Sequence, residues 1–197
     1  MTSDDILKAD DFILWLVPWL EDNVNAKDDY NEIDNKIGDG DFGTHLAHLS
    51  SSILESKVLE DAHSASDMLQ AMANIALEHA SSASGTLYAN AFLAMAKSVE
   101  NQNNLGKALL SGGKAIQSSG GAGLGEKTML DVWLPASNDL IEERLTNEAI
   151  NTYLNNVIRM EAKHGQNAMY EKDTIGEMDP GAFATAEMFK YILASKN

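Results

Sequence analysis

Apolar residues recur at helical spacing along almost the whole chain, whereas sustained alternation of apolar and polar residues does not occur. After a Ser66-Asp67 start, for example, apolar side chains with i, i+3, i+4 spacing run from Leu69 to Leu77, as in a single buried stripe. The pattern therefore predicts an all-α protein with eight helices. The predicted helices are Asp5–Asp22, Thr44–Lys57, Ser66–Ala80, Ser84–Val99, Leu105–Gln117, Lys127–Glu143, Asn147–Lys163 and Gly181–Ala194.

The predicted helices are mostly joined by short connections, so successive helices are expected to run antiparallel. Pro18 lies within the first segment and predicts a kink there. No shift in composition and no linker rich in proline or serine divides the chain, and 197 residues fit one domain of ordinary size. The sequence thus predicts a single domain over residues 1–197.

Composition and charge narrow the classes of partner. The formal charge is −16 and no run of lysine or arginine offsets it, so the surface is expected to repel nucleic acid and anionic membranes. The longest apolar run, Phe12–Val17, is shorter than the ~18 residues of a membrane span and follows aspartates, unlike the basic start of a signal peptide. We expect a cytoplasmic protein that binds neither nucleic acid nor membrane. Cysteine is absent, which removes disulfides and thiolate metal sites.

The most informative segment is an acidic, glycine-rich loop. Asp39 and Asp41 flank Gly40, and Asp34 lies just upstream. On a helix, positions two apart lie about 200° around the axis and would not share a face, whereas a glycine-rich loop lets the three carboxylates converge. Oxygen ligands in a loop with open positions suit Mg²⁺, which also takes substrate phosphates. A solvated acidic turn is the alternative that the loop alone leaves open.

Three further loops containing glycine or serine each precede an apolar helix, an arrangement that aims backbone N–H groups at an anion. Residues Ser81–Thr86 offer hydroxyls, and their alternative role is to cap the next helix. Residues Gly120–Thr128 nearly form a P-loop, but Glu126 separates the last glycine from Lys127 and no strand precedes it, which excludes a Walker motif. Residues Ile175–Ala182 place an aspartate before a proline, which also fits a helix N-cap.

Other classes of site are disfavoured. The twelfth positions counted from Asp34 and Asp39 are His45 and Ser50, so neither aspartate starts an EF-hand, which ends on glutamate. The histidines form no H-x-x-x-H pair beside a carboxylate, and His45 with His48 leaves a zinc site only as a minor alternative. The sequence contains neither a G-x-S-x-G motif nor a cysteine, which argues against a hydrolase with a serine or cysteine nucleophile.

Taken in order, the four loops resemble the nucleotide-binding subunit of the dihydroxyacetone kinases, the DhaL family, also called the DAK phosphatase-type domain. The resemblance covers nearly the whole chain. It rests on four motifs in register, Ile37-Gly38-Asp39-Gly40-Asp41-x-Gly43, Ala83-Ser84-Gly85-x-Leu87-Tyr88, Gly125-Glu126-Lys127-Thr128-Met129-x-Asp131-Val132-Trp133 and Ile175-Gly176-x-x-Asp179-Pro180-Gly181.

The resemblance implies an eight-helix antiparallel up-and-down barrel with the nucleotide and two Mg²⁺ at one end. It implies that Asp34, Asp39 and Asp41 are the metal ligands. The nucleotide contacts it implies are Phe42, Gly43, Thr44, His45, Ala83, Ser84, Gly120, Met129, Gln166, Asp179, Pro180 and Gly181.

The resemblance also implies partners. In the branch that depends on the phosphotransferase system, the subunit holds ADP as a cofactor, which a phosphohistidine subunit rephosphorylates, while a separate subunit binds dihydroxyacetone. In the ATP-dependent branch, the domain is fused to the substrate domain and exchanges ATP. Phosphoryl transfer mainly requires that a protein position the reactants and neutralise charge. The sequence shows no group of histidine or lysine residues suited to binding a ketone. A substrate-binding partner is therefore expected, and a homodimer stays open.

Two departures from the family pattern matter. Phe42 stands where many members carry histidine, and it cannot donate a hydrogen bond to phosphate. Gln166 and Asp173 stand where the family typically has arginines, whose charge glutamine cannot replace. Either Lys163 or Lys172 compensates from nearby, or this segment binds phosphate weakly. Two alternatives therefore stay open. One is a weakened nucleotide-binding regulator that docks a transcription factor or a kinase subunit, and the other is the nucleotide domain of a fatty-acid-type kinase.

Overall fold

A computed structural model describes residues 7–78 and 83–196 of the chain. The side chains of Ala83, Ser84 and Gln166 lie outside the described part. Within it the protein is all-α, as the sequence predicts, with ten α-helices and one 3₁₀ segment.

The α-helices vary widely in length, and the 3₁₀ segment precedes the last of them. They are α1 Ala9–Asn25, α2 Lys27–Asp34, α3 Phe42–Glu55, α4 Val58–Asp61, α5 Ala65–Glu78, α6 Ala83–Glu100, α7 Leu105–Gly120, α8 Leu130–Ile141, α9 Asn147–Ile158 and α10 Pro180–Ala194, with the 3₁₀ segment at Gln166–Thr174.

Eight of these helices have twelve or more residues, and they correspond one to one with the eight predicted from the sequence. Asp5 and Ala80, the predicted ends of two of them, lie outside the described residues. The largest differences are at α9, which already ends at Ile158, and at α1, which begins only at Ala9. The short helices α2 and α4 and the 3₁₀ segment were not predicted.

Helix α1 shows why the periodicity was informative. Its buried residues include Phe12, Trp15, Leu16 and Leu20, which follow the spacing of one helical face. The helix continues through Pro18 to its end at Asn25.

The packing of the helices closes a ring. Helix α1 packs against α3, α3 against α5, α5 against α6, α6 against α7, α7 against α8, α8 against α9, α9 against α10, and α10 against α1. Residues 101–104 alone connect α6 to α7, and two packed helices with so short a connection run antiparallel. The ring has the barrel architecture that the resemblance implies.

The middle of the ring is filled by aromatic side chains. The ring of Tyr88 lies 6.1 Å from that of Trp19 and 6.4 Å from that of Trp133, which links α1, α6 and α8. Trp133 donates its indole N–H to the carbonyl of Leu109 at 2.7 Å, and a Cβ at Gly113 would lie 2.7 Å from this indole. Glycine therefore lets α7 approach α8 closely. No helix in residues 7–78 and 83–196 combines the length and apolar character needed to span a membrane.

Candidate metal and phosphate site

A cavity of about 620 Å³ opens where four helices begin. Its wall includes residues at the starts of α3, α6, α8 and α10, together with Gly120 at the end of α7. The first N–H groups of a helix have no partner within the helix and carry partial positive charge. Four helix N-termini at one cavity make this end of the ring a suitable place for phosphate groups.

The three aspartates of the acidic loop converge at this cavity, as the sequence predicted. Asp34, Asp39 and Asp41 line its wall, and each offers a carboxylate oxygen within 4.8 Å of those of the other two. Asp34 is buried at the end of α2, whereas Asp39 and Asp41 are exposed. A set of carboxylate oxygens on an open cavity fits the ligand preference of Mg²⁺.

Asp34 organises the loop that carries the other two carboxylates. Its Oδ2 accepts hydrogen bonds from the backbone N–H groups of Gly40 at 3.0 Å, Asp41 at 3.1 Å and Phe42 at 3.2 Å. A Cβ at Gly38 would lie 2.2 Å from Asp34 Oδ1, so only glycine lets the chain turn this closely around the carboxylate. The spacing of glycines and aspartates therefore has a direct geometric cause.

The acidic loop concentrates negative charge. Burial raises the pKa of Asp34 above its usual value, and the neighbouring charge of Asp39 adds to the rise, while the hydrogen bonds from Phe42, Gly40 and Asp41 oppose it. A divalent cation would neutralise this charge.

The residues that follow the acidic loop divide between the cavity and the contact of α3 with α2. Phe42 and His45 line the cavity, and His45 Nε2 lies 3.1 Å from Asp41 Oδ2. Gly43 and Thr44 are absent from the described wall. The N–H of Thr44 donates to the side chain of Asn31 at 3.0 Å, and a Cβ at Gly43 would lie 2.1 Å from the backbone carbonyl of α2's first residue. Both residues therefore position α3 on α2.

Lys127 has a structural function in the loop between α7 and α8. The side chain is buried, and its Nζ donates to the carbonyls of Val157 at 2.9 Å, Ile158 at 3.3 Å and Glu177 at 2.6 Å. Burial lowers its pKa, and the nearby charge of Asp179 opposes this effect. An ammonium group held by three carbonyls differs from the phosphate-binding lysine of a P-loop, in agreement with the exclusion of a Walker motif.

Asp179 caps α10 at the cavity. Its Oδ1 accepts a hydrogen bond from Ala182 N–H at 2.7 Å, and its Oδ2 accepts one from Asn167 Nδ2 at 3.1 Å. Pro180 and Gly181 open the helix and line the cavity with Asp179. The N-cap that the sequence left as an alternative is thus present, and it lies on the cavity wall.

The buried N-cap predicts a specific dependence of stability on pH. Burial raises the pKa of Asp179 from 3.8 to about 6, although the hydrogen bond from Ala182 and the charge of Lys127 oppose the shift. The folded state therefore binds more protons than the unfolded state between these values, and this contribution to stability is lost as pH rises through about 6. Relative to Asp179→Asn, the wild type should lose on the order of 2 kcal/mol of unfolding free energy between pH 4 and pH 7. Urea unfolding of both proteins at the two pH values measures this, and parallel pH profiles would contradict it.

The structure brings most of the predicted site residues to one wall. Ten of them line the cavity, namely Asp34, Asp39, Asp41, Phe42, His45, Gly120, Met129, Asp179, Pro180 and Gly181. The side chains of Ala83, Ser84 and Gln166 lie outside the described residues. The wall as described includes neither Lys163 nor Lys172, and both of these side chains are exposed.

Sequence reasoning missed several wall residues. The polar ones are Thr86, Ser119, Lys127, Thr128, His164 and Asn167, and the apolar ones are Leu87, Ile116, Ala122 and Leu130. Proximity to a motif could have indicated Thr86 and Thr128. His164 and Asn167 are outside the four motifs, and their position depends on how the chain after α9 folds back.

Comparisons with known proteins identify the family of the chain. The DAK2 domain family matches residues 36–194, which is most of the chain. The chain belongs to the DAK2 family. Over 190 residues it is 30% identical to the PEP-dependent dihydroxyacetone kinase 1, ADP-binding subunit DhaL, of Listeria innocua, covering 92% of this chain and 96% of that protein. It is also 30% identical over 188 residues to the PTS-dependent dihydroxyacetone kinase, ADP-binding subunit DhaL, of Lactococcus lactis, covering 95% and 98% of the two chains.

Two solved structures share the fold of this chain. The dihydroxyacetone kinase of C. freundii in its native form superposes with a TM-score of 0.76 at 24% identity, over 95% of this chain and 34% of that one. The same kinase in complex with AMP-PNP and Mg²⁺ gives a TM-score of 0.75 at 22% identity, over 100% of this chain and 36% of that one. The DAK2 chain described here therefore spans about a third of the C. freundii kinase.

Proposed function

We propose that this chain is the Mg²⁺- and nucleotide-binding subunit of a kinase that phosphorylates dihydroxyacetone or a related small ketose. The observation that carries the proposal is the convergence of Asp34, Asp39 and Asp41 at a cavity bordered by four helix N-termini. The relatives from L. innocua and L. lactis, which this chain covers almost completely, are ADP-binding subunits of dihydroxyacetone kinases.

The acidic loop and the rest of the cavity would divide the binding of a nucleotide between them. Asp34, Asp39 and Asp41 would hold two Mg²⁺, which would neutralise the phosphates of ADP or ATP. In a chain of formal charge −16, an anionic nucleotide without its cations would be repelled. The apolar wall, which includes Leu87 and Met129, is suited to the base.

The substrate would be supplied by a separate subunit. Exposed apolar side chains are concentrated in the two segments that border the cavity, with Leu124 61% exposed, Met169 81%, Tyr170 42% and Ile175 50%. The hydroxyl of Tyr170 lies 3.4 Å from the carbonyl of Gly38, which places the 3₁₀ segment beside the acidic loop. We propose that a ketose-binding subunit covers this apolar rim. We also propose a phosphohistidine subunit as phosphoryl donor, which the PEP- and PTS-dependent relatives support. A homodimer and a cytoplasmic location stay predictions.

Substitution of the apolar rim should separate subunit association from nucleotide binding. Met169→Asp and Leu124→Asp are each expected to reduce coupled turnover at limiting substrate subunit at least about tenfold, because burying a charge in an interface is costly. Their affinity for Mg²⁺–ADP should stay at the wild-type value. Leu14→Asp, on α1 and 63% exposed, is the matched control. Unchanged turnover in both rim variants would contradict the proposed interface.

A second candidate, a nucleotide-binding regulator without turnover, is favoured by the scarcity of positive charge in the cavity. The described wall contains no arginine, and Lys127 is held by three carbonyls. Mixing the chain with the ketose-binding and phosphohistidine subunits tests both candidates. Formation of ketose phosphate supports the kinase subunit, whereas Mg²⁺–ADP binding without product supports the regulator. The relatives from L. innocua and L. lactis favour a ketose over a fatty acid as the acceptor.

Restoring a positive charge at the 3₁₀ segment should strengthen the site. Gln166→Arg is expected to tighten ADP or to speed transfer by about one to two decades, more at low salt than at high salt, through a charge-assisted contact to phosphate. If Lys172 already supplies this charge, Gln166→Arg changes little and Lys172→Ala is the damaging substitution. Calorimetry and coupled turnover on both variants decide between these outcomes. If neither variant differs from the wild type, this segment does not contact phosphate.

A further inference from the structure

A histidine–glutamate pair lies at the cavity outside the acidic loop. His164 lines the cavity, and its Nε2 lies 2.9 Å from Glu126 Oε2. The same carboxylate oxygen accepts the N–H of Gly123 at 2.5 Å, and the carbonyl of Glu126 accepts the N–H of Lys163 at 3.2 Å. The pair therefore connects the loop after α7 to the chain after α9 and holds the imidazole in place.

The pair fixes the hydrogen-bonding character of the ring. An ionised carboxylate only accepts hydrogen bonds, so His164 Nε2 donates its N–H to Glu126, and in the neutral ring Nδ1 is then an acceptor. A carboxylate that orients an imidazole in this way also fixes its tautomer. Within the part of the chain that the structure describes, no group bonds to Nδ1. The ring thus has one acceptor available for a ligand.

The position of the pair indicates which part of a nucleotide it would contact. The loop that carries Glu126 contributes the apolar wall residues Ala122 and Met129, whereas the carboxylates that attract a cation and phosphates lie on the loop between α2 and α3. A nucleotide with its phosphates beside that acidic loop would place its base against the apolar wall. His164 would then lie beside the base.

We propose that His164 Nδ1 accepts a hydrogen bond from the exocyclic amino group of adenine and so selects ADP over nucleotides with a carbonyl at that position. The inference rests on the proposed nucleotide-binding function. Hypoxanthine carries an oxygen where adenine carries the amino group, and two acceptors would then face each other without a proton between them. A site built to hydrogen-bond one group rejects an analogue that leaves its polar atom unpaired.

The test compares the dissociation constants of Mg²⁺–ADP and Mg²⁺–IDP by calorimetry. The wild type should prefer ADP by about tenfold, and His164→Leu should bring the ratio close to one, mainly by weakening ADP. His164→Gln should keep most of the preference, because its amide can donate to Glu126 and present a carbonyl acceptor to the base.

Glu126→Gln should lower the preference, because an amide donor at this position lets the ring adopt the other tautomer. His63→Leu, an exposed position between α4 and α5, is the matched control and should leave the ratio unchanged.

The outcomes separate this inference from the proposed function. If the wild type binds neither nucleotide, the proposed function fails and the inference fails with it. If the wild type binds Mg²⁺–ADP but does not distinguish it from Mg²⁺–IDP, the inference alone is overturned. It is also overturned if His164→Leu keeps the wild-type ratio, if Glu126→Gln does so, or if His164→Gln and His164→Leu weaken both nucleotides equally, which would indicate a structural role only.

Discussion

Asp39→Asn and Asp41→Asn are each expected to weaken Mg²⁺-dependent ADP binding by more than about 100-fold. Mutation of a residue that only hydrogen-bonds to a metal ligand lowers metal affinity by at most about 100-fold, and loss of a ligand should cost more. Both carboxylates are exposed, and their oxygens lie within 4.8 Å of each other and of Asp34. Asparagine keeps the shape of the side chain and removes the charge that a cation would bind. Asp34 is a poorer choice for this test, because its Oδ2 accepts three backbone hydrogen bonds and its replacement would alter the loop itself.

The matched control for these variants is Asp61→Asn, which removes one exposed carboxylate from the short helix α4. It should bind Mg²⁺–ADP as the wild type does, which separates loss of a ligand from the general change in charge. Calorimetric titration of the three variants gives the affinities directly. Wild-type affinity in both Asp39→Asn and Asp41→Asn would show that the loop is a solvated acidic turn.

Lys127→Met should lower the free energy of unfolding by about 3 kcal/mol or more, because it leaves three carbonyls without their donor. The lysine is 1% exposed, and it joins the loop before α8 to the end of α9 and to the segment before α10. Its backbone φ of +59° lies in the left-handed region, so the tertiary contacts also hold an uncommon local conformation. Urea unfolding measures the loss.

Lys114→Met, at an exposed position on α7, is the control for the removal of one lysine charge. Its unfolding free energy should stay within about 0.5 kcal/mol of the wild type. A Lys127→Met protein as stable as the wild type, but with weakened ADP binding, would instead show that Lys127 binds phosphate.

The long helices could be predicted because each buries one regular stripe. The short helix α2 could not be predicted, because it buries only Tyr30 and Asp34, and the sequence pattern assigns Asp34 to the acidic loop. The 3₁₀ segment Gln166–Thr174 could not be predicted either, because it lacks a helical apolar stripe and Glu171 interrupts it with a φ of 45°. Both elements are held by tertiary contacts and not by their own periodicity.

Some features of the candidate site could likewise be predicted from the sequence, and others could not. Convergence of the three aspartates could be predicted, because glycines at 38 and 40 leave room for a turn around Asp34. The capping role of Asp179 was visible in the Asp-Pro sequence. The pairing of His164 with Glu126 and the burial of Lys127 could not be predicted, because both contacts depend on chain segments distant in sequence. The sequence excludes a Walker motif at Lys127, but it does not reveal the three carbonyls that hold the ammonium group.

The most direct test of the central claim is the calorimetric titration of the purified wild-type chain with ADP, once in Mg²⁺ and once in excess EDTA. The proposed function predicts saturable binding in Mg²⁺ and its loss in EDTA, because the phosphates would otherwise face the carboxylates of Asp34, Asp39 and Asp41 without a cation. Equal affinity in the two buffers, or no binding in either, would contradict it.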